Sequence, residues 1–378
     1  DIPMYNILMH SDEISRVEYD PNHPFKPGRG KQLLDLLKRH NLIFEDNQKI
    51  ISPEPLDESL LLLAHTRYYI DLFKRADEGE FSLEMLEAGL GTGDNPVFRG
   101  MYRFALLTSG GTWQGAQMLD SGEARFVFNP IGGYHHAGKN HAGGFCYVND
   151  IGIAIMDLIK RGRRVVYVDV DVHHGNGVQD LFYKDSRVLK ISIHESGMTL
   201  YPWSGFQNEI GADAGRGYNV NIPLLKGTDD EVYVEAFESV VPPLVKAFGP
   251  DIVFAQIGGD VHKEDPLAHL RLTSNGYKRV IQTINELSPK VMATGGGGYN
   301  VYKTSALWAL AWATFCGLTP SDHYAGVVGG MMYGPEAHAG SLEDEPFVVK
   351  GAEKDEYRRH ADEVVDYIRK QVFPIHGI

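Results

Sequence analysis

The chain has 378 residues, of which 43% are hydrophobic and 11% aromatic, and this composition is typical of a globular protein. Its 36 Lys and Arg residues against 50 Asp and Glu residues leave a formal net charge of −14, which disfavours nucleic-acid binding because phosphate groups are repelled. The same acidity is compatible with substrates that carry lysine or a polyamine. No run approaches the ~20 apolar residues that a membrane-spanning helix needs, so no membrane partner is expected.

The two cysteines, Cys146 and Cys316, belong to no CxxC pair, which disfavours a disulfide scaffold and a cysteine-ligated zinc site. They fit a reducing compartment, and the N-terminal segment lacks a basic region followed by an apolar run. The sequence therefore predicts a soluble, cytoplasmic protein. Because no Pro/Ser-rich linker and no internal repeat interrupts it, we expect a single domain over residues 1–378.

Helical and strand patterns alternate from about residue 100 onward. The predicted helices cover residues 31–39, 56–64, 67–76, 100–119, 150–160, 229–248, 273–287, 303–315 and 354–372. The predicted strands cover residues 125–128, 164–172, 188–194, 251–257 and 291–294. This alternation predicts an α/β fold with a mostly parallel central sheet flanked by helices, and an active site at the carboxyl ends of the strands.

The segment VVYVDVDVHHGNG, residues 165–177, is a buried-strand pattern that ends in metal-ligand residue types. Carboxylates inside an apolar strand are costly unless a cation or a network of donors compensates them. Because strand side chains alternate, Asp169, Asp171 and His173 are predicted to point to one face. His174 would point to the other face, where a structural role is expected. A metal site is the leading interpretation of the first face.

Similar clusters follow three other predicted strands. NPIGGYHHAG follows the strand that ends at Phe128, GGD at residues 258–260 follows IVFAQI, and GGGGYN at residues 295–300 follows VMAT. The carboxyl ends of parallel strands share one edge of a sheet, so these histidines, carboxylates, tyrosine and glycines are expected to meet there.

The motifs GGYHHAG, GFCYVND, DVDVHHGNG, GGD followed by DPL, and GGGGY occur in this order over residues 132–299. In this combination the chain resembles the histone deacetylase superfamily, and its short tails are more similar to the prokaryotic acetoin-utilisation branch. The resemblance implies an arginase/deacetylase-like fold. It also implies a metal-dependent hydrolase that removes acetyl or other short acyl groups from lysine side chains of proteins or peptides.

The resemblance further implies a zinc ion held by Asp171, His173 and Asp260. Three protein ligands leave a coordination position for water or a substrate oxygen, as a catalytic site requires. Ferrous iron could occupy the same ligands. Tyr299 matches the family's tyrosine that donates to the carbonyl oxygen and stabilises the developing oxyanion.

His135 and His136 match the family's catalytic histidine pair. The resemblance makes His136 the general base and acid, and it pairs His135 with Asp169. Asn176 stands where many members carry Asp. An amide orients the second histidine but does not stabilise its cation as a carboxylate would.

The resemblance also implies a tunnel for the acyl-lysine side chain. The matching residues are Gly144 and Phe145 for one wall, Tyr201 for the opposite wall, Leu267 for the mouth, Asp94 for the rim carboxylate that accepts backbone N–H groups of a peptide, and Arg29 for the pocket where acetate leaves.

Family members carry structural monovalent cations, usually potassium, beside the zinc. The implied first site uses the Asp169 carboxylate, the Ser192 hydroxyl, and the carbonyl oxygens of Asp169, Asp171, His173 and Ile193. The implied second site uses backbone oxygens of Phe182, Asp185, Val188 and Tyr218. One departure is GGDVHKEDPL, where His262 and Lys263 replace small or apolar residues and are expected to line the rim or face solvent.

Three alternatives remain at this point. The same site could act on acetylated polyamines or another small amide, although Leu267 supplies no acidic residue at the mouth. An arginase-type binuclear manganese hydrolase is disfavoured because Gly175 stands where that family carries another Asp. A non-catalytic reader of acyl-lysine is disfavoured because Tyr299, both histidines and all three ligands are present.

Overall fold

Eight strands pair side by side in one sheet at the centre of the protein, and every neighbouring pair is parallel. The computed structural model describes residues 4–43, 45–320 and 341–378. In chain order the strands are β1 (Tyr5–Met9), β2 (Gln48–Ile51), β3 (Ala124–Asn129), β4 (Val165–Asp169), β5 (Val188–Glu195), β6 (Asn219–Leu224), β7 (Ile252–Gln256) and β8 (Val291–Thr294). Their spatial order is β2-β1-β3-β8-β7-β4-β5-β6.

Helices connect these strands and cover both faces of the sheet. In the described ranges they are α1 (Asp12–Ser15), α2 (Arg29–Arg39), α3 (Glu58–Leu61), α4 (Arg67–Asp77), α5 (Leu83–Glu87), α6 (Met101–Ser121), α7 (Asp150–Lys160), α8 (Asn176–Phe182), α9 (Asp230–Phe248), α10 (Ser274–Leu287), α11 (Val301–Cys316) and α12 (Ala352–Gln371). None of these described helices is both long and apolar enough to cross a membrane.

Alternating strand side chains divide the core into two apolar layers. Val165 and Tyr167 of β4 pack on one face with residues of α6, α7 and α8. Val166 and Val168 pack on the other face with residues of α2, α9, α10, α11 and α12. Because both faces are covered, the strands are almost continuously apolar, and a polar side chain within them stands out.

A third apolar cluster joins the N-terminal helices to the neighbourhood of the strand ends. It packs α4 and α5 against α6 and against Tyr147 and Val148, which lie in the loop between β3 and α7. The ring of Phe145 packs on the edge of this cluster. This cluster therefore supports one side of the region where the histidine motif lies.

The α/β class and the parallel sheet are confirmed, and most predicted elements agree with the observed bounds within a few residues. The sequence patterns missed the short strands β1, β2 and β6. Strand β2 is a partly exposed edge strand of four residues, and β6 lies at the other edge and contains Asn219, Asn221 and Pro223. Polar residues and proline are tolerated at a sheet edge and weaken the strand pattern there.

The strand predicted over residues 164–172 ends earlier than expected. Strand β4 stops at Asp169, so Asp171 lies beyond the strand rather than inside it. The backbone N–H of Val170 still bonds to the carbonyl oxygen of Gln256 at 2.9 Å, and the chain then leaves the sheet. The side chains after Asp169 therefore no longer have to alternate between the two faces of the sheet, and several of them can point in the same direction.

Candidate active site

Four loops meet at the carboxyl ends of β3, β8, β7 and β4, which are consecutive neighbours in the sheet. They carry, respectively, the histidine pair, the glycine-rich loop with Tyr299, Asp260, and the pair Asp171 and His173. Because the strands are parallel neighbours, their loops emerge side by side. The strand order therefore brings together residues that are up to 164 positions apart in the chain.

Asp171, His173 and Asp260 form a compact, buried cluster. One ligand atom from each lies within 4.8 Å of the others. The Nδ1 atom of His173 is 3.1 Å from Asp171 Oδ1 and 3.0 Å from Asp260 Oδ2. The other carboxylate oxygen of Asp171 accepts hydrogen bonds of 2.7 Å from Gln256 Nε2 and from the backbone N–H of Gly297. These donors orient the carboxylate toward the cluster.

The electrostatics of the cluster suit a divalent cation. Burial and the neighbouring charge of Asp171 together raise the pKa of Asp260 to about 7. Burial opposes protonation of His173, but its bonds to the two carboxylates raise its pKa to about 10. Two buried carboxylates thus need a positive charge between them, and a metal ion can supply it when the imidazole is neutral.

Glycines leave room around the two carboxylates. A Cβ atom on Gly297 would lie 2.0 Å from Asp260 Oδ2, and one on Gly258 would lie 2.4 Å from Asp171 Oδ2. Both distances are shorter than a van der Waals contact, so the backbone can approach the carboxylates only because these residues have no side chain. The residues present fit a three-ligand metal site.

The two adjacent histidines face the cluster and have different partners. His135 Nδ1 is 2.7 Å from Asp169 Oδ2, and the same oxygen accepts a 2.5 Å bond from the Tyr167 hydroxyl. His136 Nδ1 is 2.7 Å from Asn176 Oδ1. The Nε2 atoms of the two rings are 3.1 Å apart. Each ring is held by one nitrogen, and the other nitrogen is directed toward the site.

Their surroundings shift the two pKa values in opposite directions. Burial alone would lower the pKa of His135, but the charges of Asp169 and Asp171 raise it above its ordinary value. Burial lowers the pKa of His136 well below its ordinary value, and the charges of His135 and His173 lower it further. His136 is therefore the neutral imidazole of the pair, and a neutral imidazole can accept a proton.

The backbone around Tyr299 is held by Asp265, from the loop after β7, and by Arg29, from α2. The N–H of Tyr299 donates to Asp265 Oδ2 at 2.8 Å. The guanidinium of Arg29 donates to the carbonyl oxygens of Gly296 and Gly298 at 2.9 and 3.1 Å. Burial raises the pKa of the Tyr299 hydroxyl well above its ordinary value, and the nearby carboxylates add to this effect. The phenol remains protonated and can donate a hydrogen bond.

A pocket of about 320 Å³, including its opening to solvent, connects these groups. Phe145 stands beside Tyr299 with the ring centroids 5.5 Å apart at 84°. The lining comprises both histidines, two of the cluster residues, the glycine-rich loop and several apolar residues: Phe25, Gly133, Tyr134, His135, His136, Gly144, Phe145, Cys146, Asp171, His173, Gly296, Gly297 and Tyr299.

The sequence-family model described as the histone deacetylase domain matches residues 23–315 of this chain. The chain belongs to the histone deacetylase family. Acetoin utilization protein AcuC of Bacillus subtilis is 38% identical to it over 323 residues, which are 83% of each chain. Histone deacetylase clr6 of Schizosaccharomyces pombe is 35% identical over 302 residues, 79% of this chain and 74% of clr6. The predicted resemblance, including its acetoin-utilisation type, is confirmed.

The fold agrees with that of a solved relative. The crystal structure of an HDAC homolog complexed with SAHA matches this deacetylase with a TM-score of 0.84 and 30% sequence identity. The match covers 98% of this chain and 100% of the homolog. The protein is therefore a deacetylase, which is a hydrolase, and it has the α/β fold of this family.

The residues predicted for the outer tunnel lie at different depths. The ring of Tyr201 stands 5.1 Å from that of His136 at 77°, so this wall position adjoins the histidine pair. Asp94 is exposed, and its backbone oxygen accepts a 3.2 Å bond from His23. Leu267 is half-buried, and its N–H donates to Asp265 at 2.9 Å. Asp265 thus links the mouth residue to the loop of Tyr299.

Ser192 lies directly beside Asp169 in the sheet of this deacetylase, because these two residues are partners in the parallel pairing of β4 and β5. The Ser192 hydroxyl is 2.8 Å from His194 Nδ1. The Asp169 carboxylate is fully buried and also accepts the backbone N–H of Asp171 at 3.1 Å. Ile193 is the next residue of β5 and is buried.

His262 is neither at the rim nor in solvent, which corrects the expectation for this residue. It is 2% exposed, and its Nε2 is 2.7 Å from Asp344 Oδ2. Asp344 also accepts a 2.6 Å bond from Lys303. Lys263 packs its ammonium group 5.3 Å from the ring centroid of Phe347. His262 and Lys263, which depart from the family pattern, thus hold the segment around Asp344 and Phe347 against the rest of the enzyme.

His174 agrees with the structural role predicted for it. Its ring nitrogens are 2.8 Å from Ser204 Oγ and 3.0 Å from Gln179 Oε1, away from the pocket. Gly175 lies against Asp169, where a Cβ would be 2.3 Å from Oδ2. A second carboxylate of the arginase type has no space at this position.

Three supporting residues were not singled out from the sequence. Gln256 orients Asp171, Asp265 binds the backbone of Tyr299, and Asp150 accepts the N–H groups of Gly133 and Tyr134 at 2.9 and 2.8 Å. Gln256 could have been found as a polar residue at the end of an apolar strand. Asp150 and Asp265 belong to the motifs GFCYVND and DPL, but their roles could not be derived from the sequence because the groups they bind are distant in the chain.

Proposed function

We propose that this enzyme hydrolyses the side-chain amide of acetyl-lysine, or of another short acyl-lysine, in proteins or peptides, with a zinc ion held by Asp171, His173 and Asp260. The observation that carries the proposal is the arrangement around one pocket of a three-ligand cluster, a neutral imidazole and a protonated phenol. When bound, the ion supplies a Lewis acid that polarises the amide carbonyl and activates water. Ferrous iron remains the second candidate for the same ligands.

The protein side chains supply proton transfer and orientation. His136 is neutral and takes a proton from the attacking water, and it later gives a proton to the amine as the carbon–nitrogen bond breaks. His135, held by Asp169, is the proton-sharing partner of His136, since the Nε2 atoms of the two rings are 3.1 Å apart. The Tyr299 hydroxyl donates to the carbonyl oxygen as negative charge develops on it, an interaction worth about 3 kcal/mol in comparable sites.

The substrate-binding part of the proposal rests on the aromatic walls and the acidic surface. The four-carbon stem of lysine would pass between Phe145 and Tyr201, with Gly144 leaving space beside the first ring. At the rim, Asp94 would accept backbone N–H groups of a peptide, and Leu267 would contact its side chains. The net charge of −14 favours lysine-rich segments.

A potassium ion beside Asp169 completes the proposed set of cofactors. The pairing of β4 with β5 brings the Asp169 carboxylate and the Ser192 hydroxyl to one place, and the carbonyl of Ile193 follows. These are oxygen ligands, as a monovalent cation requires. The ion would neutralise a carboxylate that burial otherwise disfavours.

Substrate class is tested with purified enzyme loaded with zinc or ferrous iron and assayed with lysine peptides that carry acyl chains of increasing length. Acetylputrescine serves as the comparison substrate. We expect turnover of a short acyl-lysine peptide, competition by SAHA, and much weaker turnover of acetylputrescine. Preference for acetylputrescine would support the polyamine alternative, and inactivity on the whole panel would contradict the proposed substrate.

The Tyr299→Phe variant tests the proposed oxyanion donor. We expect kcat to fall by about 10² to 10³ because the hydroxyl is lost while the ring and its packing remain. Metal content and the thermal unfolding curve should match those of the wild type. The matched control is Tyr68→Phe, since Tyr68 is 60% exposed and should tolerate loss of its hydroxyl. Wild-type kcat in Tyr299→Phe would refute the assigned role.

A further inference from the structure

Lys190 is a buried lysine in β5, the strand next to edge strand β6. All eight residues of β5 are buried, and only 3% of the surface of Lys190 is exposed. A lysine amine in such a position is costly unless its N–H groups find acceptors. The sequence pattern of β5 is otherwise apolar around it, so this residue needs a specific explanation.

The amine of Lys190 lies on backbone carbonyl oxygens. Its Nζ donates to the carbonyl of Phe182 at 2.5 Å and to that of Val188 at 3.3 Å. Phe182 is the last residue of α8, and the carbonyls at a helix C-terminus carry partial negative charge and lack partners within the helix. The amine therefore joins the end of α8 to the start of β5.

Carboxylates contribute little to this arrangement. Asp185 lies in the same loop, but its carboxylate binds Arg187 at 2.6 Å. Among the residues that the structure describes, no carboxylate oxygen lies within 4.0 Å of Lys190 Nζ. Burial lowers the pKa of Lys190 to about 7, and the charge of Asp185 opposes this change. Both forms of the amine donate hydrogen bonds to carbonyl oxygens.

The family resemblance implies a second monovalent cation held by backbone oxygens of Phe182, Asp185, Val188 and Tyr218. These residues do not fit a free ion in this chain, because the Lys190 amine already binds two of the four oxygens. A primary ammonium carries the same charge as potassium. It donates hydrogen bonds to the carbonyl oxygens that would otherwise coordinate the ion.

We propose that the side-chain amine of Lys190 replaces the second monovalent cation of the family, so that no free potassium binds between α8 and β5. Because the amine is part of the chain, it stabilises the junction of α8 and β5 at any potassium concentration. Because α8 begins at Asn176, the same interaction supports the helix that carries the partner of His136. The proposal depends on ion binding and not on the proposed substrate, so its test needs no activity measurement.

Rubidium, which substitutes for potassium and scatters X-rays anomalously, gives the direct test. Crystals of the wild-type enzyme and of Lys190→Ala are grown under identical conditions in rubidium chloride. We expect no rubidium peak against the Phe182 and Val188 carbonyls in the wild type, and a peak there in the alanine variant. A rubidium ion on these oxygens in the wild type would overturn the proposal, and this measurement does not depend on the variant folding.

Thermal unfolding in solution gives an independent readout. Potassium chloride is exchanged for N-methylglucamine chloride at constant ionic strength. We expect potassium to raise the Tm of Lys190→Ala by about 2 °C more than that of the wild type, because only the variant has a vacated place for the ion. Lys190→Met, which fills the space with an apolar group, should lose stability without this added potassium response.

Lys184→Ala is the matched control, since Lys184 lies near the same loop with its side chain 72% exposed. It should respond to potassium as the wild type does. An equal potassium response in wild type, Lys190→Ala and Lys190→Met would contradict the replacement of the ion by the amine.

Discussion

Hydrogen-bond partners give His135 and His136 different acid–base properties although the two residues are adjacent in the chain. His135 binds the carboxylate of Asp169, and the pKa of its imidazole is raised. His136 binds the neutral amide of Asn176, and the pKa of its imidazole is lowered. Both rings are buried, which lowers both pKa values. The carboxylate charges beside His135 outweigh this effect, whereas the Asn176 amide does not offset burial and the neighbouring imidazole charges at His136.

Replacing Asn176 with Asp should move the pH–rate profile to higher pH. A carboxylate at Nδ1 stabilises the imidazolium form, so the pKa of His136 rises, by about one unit or more. His136 must be neutral to act as a base, so activity on the acidic side of the profile should be lost at a higher pH than in the wild type. The profile of kcat/KM against pH measures this shift.

An exposed asparagine provides the control for this change. Asn47→Asp introduces a carboxylate at an exposed position just before β2, away from the histidine pair. This variant should leave the acidic limb of kcat/KM in place. An unchanged acidic limb in Asn176→Asp would argue against the pairing of Asn176 with a catalytic His136.

At the scale of elements, the site depends on the loop between β8 and α11. The loop backbone passes directly over the two carboxylates of the cluster, and the Gly297 N–H donates to Asp171. Arg29, from α2, binds the same loop at Gly296 and Gly298. The loop therefore supports the cluster with backbone donors and holds Tyr299 at its end.

Gly297→Ala should reduce metal binding. The added Cβ would lie 2.0 Å from Asp260 Oδ2 and 2.9 Å from Asp171 Oδ2, so the loop or the carboxylates must move. We expect the metal affinity to fall by about tenfold or more, a size typical of lost support around a metal site. Competition with a chelator, followed by measurement of the metal in the protein, tests the prediction.

Gly93→Ala is the matched control, because no atom lies within 4 Å of a Cβ built at that position. It should bind metal as the wild type does. Wild-type metal affinity in Gly297→Ala would show that the loop does not constrain the carboxylates.

At the scale of the whole molecule, the C-terminal helix α12 closes the sheet on the β6 side. It packs on α9 and β6, and His360 Nε2 is 3.1 Å from the carbonyl oxygen of Pro223 in this edge strand. A buried ion pair fixes its start: Lys354 Nζ is 2.7 and 2.8 Å from the two oxygens of Asp229. Asp229 is fully buried and also caps α9.

Lys354→Met should destabilise the protein by about 3 kcal/mol, because Asp229 would remain buried without its cation. Denaturant unfolding followed by circular dichroism measures the loss. Combining Lys354→Met with Asp229→Asn should recover part of the stability, since the unpaired charge is removed. Lys350→Met, at an exposed position, should change stability by less than about 0.5 kcal/mol. A Lys354→Met curve equal to that of the wild type would contradict a stabilising pair.

Local patterns were enough to predict the parallel α/β class and the residue types that gather at the strand ends. The period of apolar residues identifies buried strands and helices, and a carboxylate such as Asp171 stands out against such a strand. The motif order then led to the family, which the comparisons confirm. Of the edge strands, β2 was missed because it is short and partly exposed, and β6 was missed because Asn219, Asn221 and Pro223 interrupt its apolar pattern.

What the sequence by itself determined is therefore the longer helices, the buried strands with a continuous apolar pattern, and the chemical groups at their ends, since these follow from neighbours in the chain. Only the tertiary structure decided which groups meet. The packing of strands, helices and loops sets Gln256 against Asp171 and Asp265 against Tyr299, and it turns His262 toward Asp344. It also places the amine of Lys190 on the end of α8. These partners come from different elements, and a hydrogen bond between distant residues depends on packing rather than on spacing.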